Sequence, residues 1–116
     1  MVDRFRLSAV EIEPLAEGYG SCLASNRITI DGAQVGLMYR EESGDKHDSG
    51  WRFLAGDEND AYTGDPSNFA IYDVNTIANY DRSIIPHLNG EFMIALERDP
   101  ESGRWSRVPF PRSGLQ

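Results

Sequence analysis

The stretch "DSGWRFLAGDEND", residues 48–60, joins an apolar run to an acidic cluster. Residues 51–55 have the aromatic and aliphatic content and the length of a β-strand. Trp51 and Phe53 share one face of such a strand, and a domain of this size needs large aromatic side chains to build a core. We therefore predict a core strand that carries an acidic loop at its end.

Negative charge is concentrated around this strand. Residues 41–65 hold eight acidic residues against Lys46 and Arg52, which leaves there six of the eight net negative charges of the whole chain. The polar stretch 41–50 and the stretch 56–68, which is rich in turn formers, are predicted to be surface loops on either side of the strand. In an antiparallel sheet these loops emerge at opposite ends of the strand, unless the first loop is long enough to reach the other end.

The composition is that of an ordinary globular protein. With 116 residues, of which 40% are hydrophobic and 26% charged, the chain is expected to form a single domain over residues 1–116. The N-terminal residues lack the apolar run of a signal peptide, and no stretch approaches the ~18 apolar residues of a membrane span, so we expect a cytosolic protein without a membrane partner. No basic stripe with interleaved aromatics is present, which argues against nucleic acid as a partner.

A β-hairpin is predicted directly before the acidic region. Residues 27–30 alternate polar and apolar side chains, Asp31 and Gly32 are the residue types of a type I′ turn, and residues 35–39 return as an apolar strand. Gly36 inside the return strand suggests a bulge or a close approach of two backbones.

Residues 69–88 change to a helical period. Asp73 or Asn75 is a candidate N-cap, Pro86 is expected to end or restart the helix, and a break around Asp81 is predicted. Residues 91–99 alternate again, and residues 104–108 are predicted to close a second hairpin, while residues 5–13 could add an N-terminal strand. The prediction is an α+β, β-rich domain of five to seven strands, with a small curled antiparallel sheet or a barrel-like arrangement and one short helical insertion.

The acids, the cysteine and the two histidines of the chain do not form a recognisable catalytic pattern. The acids after the strand miss the calcium-binding EF-hand spacing and have no apolar surroundings that would raise a carboxyl pKa, as a general acid requires. Cys22 stands among small and apolar residues, where a buried, inert thiol is the usual outcome, and His47 and His87 belong to other segments. We therefore predict no catalytic residue, no metal ligand and no cofactor. A loose ion site formed by Asp57, Asp60 and Asp65 remains an alternative.

Three segments together carry a family resemblance. The stretches "GSCLASNRITIDGAQVGLMYRE", "DSGWRFLAGDEND" and "NFAIYDVNTIANYDRSIIPHL" resemble, in this order and spacing, the immunity-protein-thirty-three family of bacterial polymorphic-toxin systems. The resemblance covers about residues 20–98. It leaves out the N-terminal 19 residues and the tail after Arg98.

The resemblance implies an immunity protein, which binds a cognate toxin and neutralises it by stoichiometric occlusion without catalysis. The concentrated negative charge favours a basic toxin, because it would speed the encounter. Tyr62 is predicted to anchor the contact, with Trp51 as a second anchor. The predicted partner-binding residues are Glu41, Glu42, Asp45, Asp48, Asp57, Glu58, Asp60, Tyr62 and Asp65. A protein-interaction module with a different partner, a metal-binding protein and a homo-oligomer that pairs through a free edge strand remain alternatives.

Overall fold

The protein is built around one six-stranded sheet, with two short helices and a 3-10 turn packed on one of its faces. The computed structural model describes residues 5–110. The strands are β1 (Ser21–Ser25), β2 (Leu37–Arg40), β3 (Asp48–Leu54), β4 (Phe69–Asp73), β5 (Ile94–Arg98) and β6 (Trp105–Val108). The helices are α1 (Asn26–Thr29), α2 (Asp60–Thr63) and α3 (Val74–Tyr80), with 3-10 turns at Ala9–Glu11, Pro66–Asn68 and Arg82–His87. Within residues 5–110, no helix has the length and hydropathy needed to cross a membrane.

The sheet is mixed and open. Its strand order is β4-β1-β3-β2-β5-β6. β1 and β3 run parallel, whereas the other four neighbouring pairs are antiparallel. The predicted β-rich α+β class is confirmed, but the sheet is not wholly antiparallel and does not close into a barrel, because β4 and β6 remain as edges.

β3 is the core strand that the sequence predicts. Trp51 and Phe53 are fully buried and stack with ring centroids 6.1 Å apart. They pack with buried side chains of α1, α3 and the 3-10 turn that follows α3, such as Ile28, Ile77 and Ile84. The indole Nε1 of Trp51 donates a hydrogen bond to the carbonyl oxygen of Leu88 at 3.1 Å, so its polar atom is satisfied inside the core.

The first predicted hairpin is wrong. Residues 26–29 form α1 instead of a strand, because the Ser25 side chain accepts a hydrogen bond from the Arg27 amide and caps a helix. Gly32 has φ +81°, and the Ala33 amide donates to the Arg27 carbonyl oxygen, the pattern of a glycine that ends a helix. The Asp31-Gly32 pair therefore ends a helix and does not form the predicted hairpin turn.

The close backbone approach predicted at Gly36 is confirmed. A Cβ atom at Gly36 would lie 2.0 Å from the carbonyl oxygen of Ala55, which no side chain could tolerate. The Gly36 amide donates to the Leu54 carbonyl oxygen, and its own carbonyl accepts from the Arg98 amide. Gly36 thus lets β2 enter the sheet between β3 and β5.

The helical segment is shorter than residues 69–88, because residues 69–73 are the edge strand β4. Asp73 is the N-cap of α3, its carboxylate accepting from the Asn75 amide, and the chain breaks at Asp81 as predicted. Asp81 is buried and binds the Val35 amide and the Arg98 guanidinium. Its carboxylate therefore joins the break in the helix to β5.

The remaining elements divide between confirmation and correction. β5 and β6 form the predicted closing hairpin in antiparallel register. The proposed N-terminal strand is wrong, because residues 9–11 form a 3-10 turn capped by Ser8. The total of six strands lies within the predicted range.

Candidate interaction surface

The sheet face opposite α1 and α3, here called the outer face, carries Arg52 and the acids that it binds. Register places one row of side chains across all six strands of this face. In the order of the strands the row is Ile71, Leu23, Arg52, Tyr39, Ala95 and Val108. Tyr39, Leu54 and Ala95 form a second, smaller apolar cluster here.

Arg52 organises the acids at the start of β3. Its Nε donates to Glu41 at 2.7 Å, and its Nη1 and Nη2 donate to the two oxygens of Asp48 at 2.9 and 2.8 Å. The hydrogen bonds from Arg52 hold the pKa of Asp48 at about 2. Glu41 and Asp48 therefore serve an internal ion network, and the three side chains together carry one net negative charge.

A second arginine organises the acid at the end of β3. Arg27 on α1 donates from Nε and Nη2 to both carboxylate oxygens of Asp57 at 3.1 and 2.6 Å, and from Nη1 to Asp31 at 3.0 Å. The hydrogen bonds from Arg27 lower the pKa of Asp57 below its usual value. This bidentate pair fixes the loop after β3 to α1.

Three of the remaining acids bind backbone amides. Glu58 accepts from the amides of Ala55 and Gly56 at 2.8 Å each, Asp65 accepts from Ser67, and Asp45 accepts from the His47 amide. The Ser67 hydroxyl and amide lower the pKa of Asp65. Glu42 and Asp60 make no side-chain hydrogen bond within residues 5–110. An amide carries no net charge, and within residues 5–110 none of these five carboxylates is paired with a cationic side chain.

The two acidic loops leave opposite ends of β3. Asp48 begins the strand beside Ser21, the first residue of β1, whereas Asp57 follows the strand and lies against α1, which comes after β1. Across the seven residues of β3 the ends are separated by about 20 Å. The first loop therefore does not reach the surface of the second, and the predicted binding residues form two separate groups.

The two predicted anchor residues, Trp51 and Tyr62, differ in exposure. Trp51 has no exposed surface, so its proposed contact with a partner is wrong. Tyr62 on α2 is half-buried and packs edge-on against Phe69, with ring centroids 5.9 Å apart. Its hydroxyl-bearing ring thus joins the acidic loop to the start of β4.

Within residues 5–110, the side chains that could bind a metal ion or act as a nucleophile are dispersed or buried. Over residues 5–110, no three His, Cys, Asp or Glu side chains lie close enough together to hold a metal ion, so Asp57, Asp60 and Asp65 do not form the alternative ion site. Cys22 is buried, and burial raises the pKa of its thiol, as expected for an inert cysteine. A groove of about 670 Å³ lies between the ends of β3 and β5, but Asp57 and Arg98 in its wall are held by Arg27 and Asp81.

Two features of this surface are absent from the sequence prediction. Arg27 and Arg52 each bind two acids, and the only signal of this in the sequence is an acid four residues away, Asp31 from Arg27 and Asp48 from Arg52. Ile71 is 74% exposed on the edge strand β4, although it lies in a segment with helical periodicity. No local pattern separates this exposed isoleucine from the buried ones that follow it.

These features define a small β-rich domain whose charged and apolar groups lie on an open sheet face and on loops. The chain belongs to the family described as the immunity protein Imm33 domain, which matches residues 22–109. No curated protein and no solved structure matches it. The predicted family is confirmed, and the match extends past Arg98 to include the β5–β6 hairpin. Membership supports an immunity role and implies a toxin as partner.

Proposed function

We propose that this protein binds a cognate bacterial toxin in the cytosol and neutralises it by stoichiometric occlusion, without catalysing a reaction. The family match over residues 22–109 is the observation that carries this proposal. An immunity protein of this kind covers the active site of the toxin or holds it in an inactive conformation. Its affinity comes from a few buried contacts surrounded by a charged rim.

The charge distribution favours a basic toxin. Glu58, Asp60 and Asp65 lie in one loop and keep uncompensated charge, since two of them bind only amides and hydroxyls and the third has no partner within residues 5–110. Such a surface raises the association rate of a basic partner towards ~10⁸ M⁻¹s⁻¹ at low salt. Fast association matters for an immunity protein, because free toxin is lethal. In this proposal Glu41, Asp48 and Asp57 contribute mainly to the fold, while Glu42 and Asp45 supply charge at the other end of the sheet.

Co-expression tests the function directly. Cells that express the toxin encoded beside this chain should stop growing, and co-expression of the chain should restore growth and yield a copurifying complex. Growth arrest that persists although the chain is folded and abundant would contradict the proposal.

A set of charge variants tests the acidic surface separately. The triple variant Glu58→Gln, Asp60→Asn, Asp65→Asn removes three charges, and each new side chain keeps one acceptor oxygen, although Glu58 now binds its two backbone amides with two. We expect association to slow about tenfold at low salt. Substitution of Glu17, Glu91 and Glu101 by Gln removes the same charge from other exposed positions and should have a smaller effect. Equal association rates for the two variants, measured by stopped-flow fluorescence, would remove this loop from the proposed interface.

A further inference from the structure

The edge strand β4 has one side without a backbone partner in the described part of the chain. Register pairs Ser21 of β1 with Asp73 of β4 and Leu23 with Ile71. The Val74 amide donates to the Gly20 carbonyl oxygen at 2.9 Å, whereas the Ser21 amide points the other way and donates to His47 beside β3 at 2.8 Å. Hydrogen-bonded and non-hydrogen-bonded pairs alternate in an antiparallel ladder. The amides and carbonyls of Ile71 and Asp73 therefore point away from the sheet.

The two edges of the sheet differ in how they are protected. β6 carries Arg107 and is followed directly by Pro109, two features that discourage the addition of another strand. β4, with the sequence FAIYD, contains no proline, lysine or arginine. It instead presents Ile71, which is 74% exposed at its centre. β4 thus has the properties of an edge that accepts a strand.

The surroundings of β4 indicate the chemistry of the strand that fits. Asp65 precedes the strand, Asp73 ends it, and both are exposed. On the outer face, Leu23 and Ile71 line a depression of about 170 Å³ whose wall also contains Asp45 and the ion pair of Asp48 with Arg52. Asp45 binds a backbone amide and no cationic side chain within residues 5–110, so the apolar wall beside it suits lysine or arginine, whose aliphatic stem packs on apolar surface while the cation meets the acid. A second copy of this chain fits less well, because each copy carries a net charge of −8.

We infer that β4 is the docking edge for an extended segment of the toxin, which adds a seventh strand and bears lysine or arginine next to an apolar residue opposite Ile71. This inference rests on the proposed function and identifies the element that makes the contact. Backbone hydrogen bonds to Ile71 and Asp73 supply affinity, and the side chains that alternate along the added strand supply specificity. The charged loop that ends in Asp65 is joined to β4 by a single 3-10 turn, Pro66–Asn68. The loop that would attract a basic toxin therefore lies beside the edge that would bind it.

A proline scan of the two edges tests the inference. Ile71→Pro removes the outward amide and the exposed side chain of Ile71 but takes no donor from the ladder with β1, and we expect it to weaken binding of the purified toxin domain about a hundredfold. Arg107→Pro makes the corresponding change on β6, whose pairing leaves the amide of residue 107 pointing outward, and should alter the affinity by no more than about threefold. Ile71→Lys keeps every backbone donor, is expected to fold even if the proline variant does not, and should also weaken binding.

Amide hydrogen exchange on the unmodified protein provides a second readout. The Ile71 amide should exchange quickly in the free protein and about tenfold or more slowly in the complex, while the Tyr72 amide is protected in both states. Unchanged affinity in both Ile71 variants, or unchanged exchange at Ile71 on binding, would overturn the inference and leave the proposed function standing. Protection of Ile71 that rises with protein concentration alone would assign the edge to a second copy and also overturn it. A wild-type chain that fails to bind the toxin would overturn the proposed function together with this inference.

Discussion

Arg52 stabilises the fold by binding Glu41 and Asp48, two acids that the sequence analysis predicts to contact a partner. Its side chain is only 12% exposed and holds Glu41 and Asp48 on the outer face. Removal of one member of a partly buried ion network leaves the others desolvated without a partner, which costs more than the network itself contributes. We therefore expect substitutions of Glu41 and Asp48 to affect stability more than binding.

Substitution of Arg52 by Ala should lower the free energy of unfolding by about 2 kcal/mol, because Glu41 and Asp48 lose their shared cation. Arg82 pairs with Glu13 at 3.6 Å, with side chains 68% and 66% exposed, so Arg82→Ala should change the stability by no more than about 0.5 kcal/mol. Urea denaturation of both variants measures the difference. Equal stabilities would mean that the Arg52 network does not support the fold.

The same network predicts a dependence of stability on pH. The hydrogen bonds from Arg52 lower the pKa of Asp48 from 3.8 to about 2. Because the folded pKa lies below the unfolded one, the stabilisation by Asp48 is complete above about pH 4 and is lost as the pH falls towards 2. The stability difference between the wild type and Asp48→Asn, measured by urea denaturation, should therefore shrink between pH 5 and about pH 2. A difference that stays constant over this range would contradict the assignment.

At the scale of elements, the predictions that succeeded rest on local signals that the tertiary packing supports. The alternation around Trp51 and Phe53 survives in the structure because burial on the core face selects it, and the N-cap and break of α3 follow from Asp73 and Asp81. The failures occur where two short signals coincide. Asp31-Gly32 suits either a hairpin turn or a helix end, and the cap at Ser25 decides between them. The exposure of Ile71 depends on the edge position of β4, which only the tertiary pairing determines.

Gly50 illustrates an element that requires a particular residue. It lies inside β3 with φ +87°, at the irregularity in the pairing of β1 with β3, and a Cβ atom there would lie 2.2 Å from the Glu41 carbonyl oxygen. Gly50→Ala should lower the free energy of unfolding by about 2 kcal/mol or more, because both the backbone conformation and the space are unfavourable.

Gly44 provides the matched control for this prediction. It lies in the loop before β3, and a Cβ atom there would have no heavy atom within 4 Å. Gly44→Ala should therefore change the stability by no more than about 0.5 kcal/mol in the same urea titration. Equal effects of the two substitutions would show that the bulge at Gly50 tolerates a side chain.

At the scale of the whole molecule, the acidic residues separate into two kinds. Two arginines neutralise half of the charge of the acids that they bind, one network at each end of β3. The acids that bind amides keep their charge and create the long-range field that a basic partner would experience. The sequence reveals the total charge of residues 41–65 but not this division, because the partners Arg27 and Arg52 are selected by the fold.

We propose that one molecule of this protein binds one molecule of toxin and does not modify it. Titration of a fixed concentration of toxin with this chain, with the residual toxin activity as readout, tests the claim most directly. We expect activity to fall linearly and to reach its minimum at a ratio of one to one, as for tight stoichiometric binding. Complete and progressive loss of activity at ratios far below one would show that the chain acts catalytically and would contradict the account.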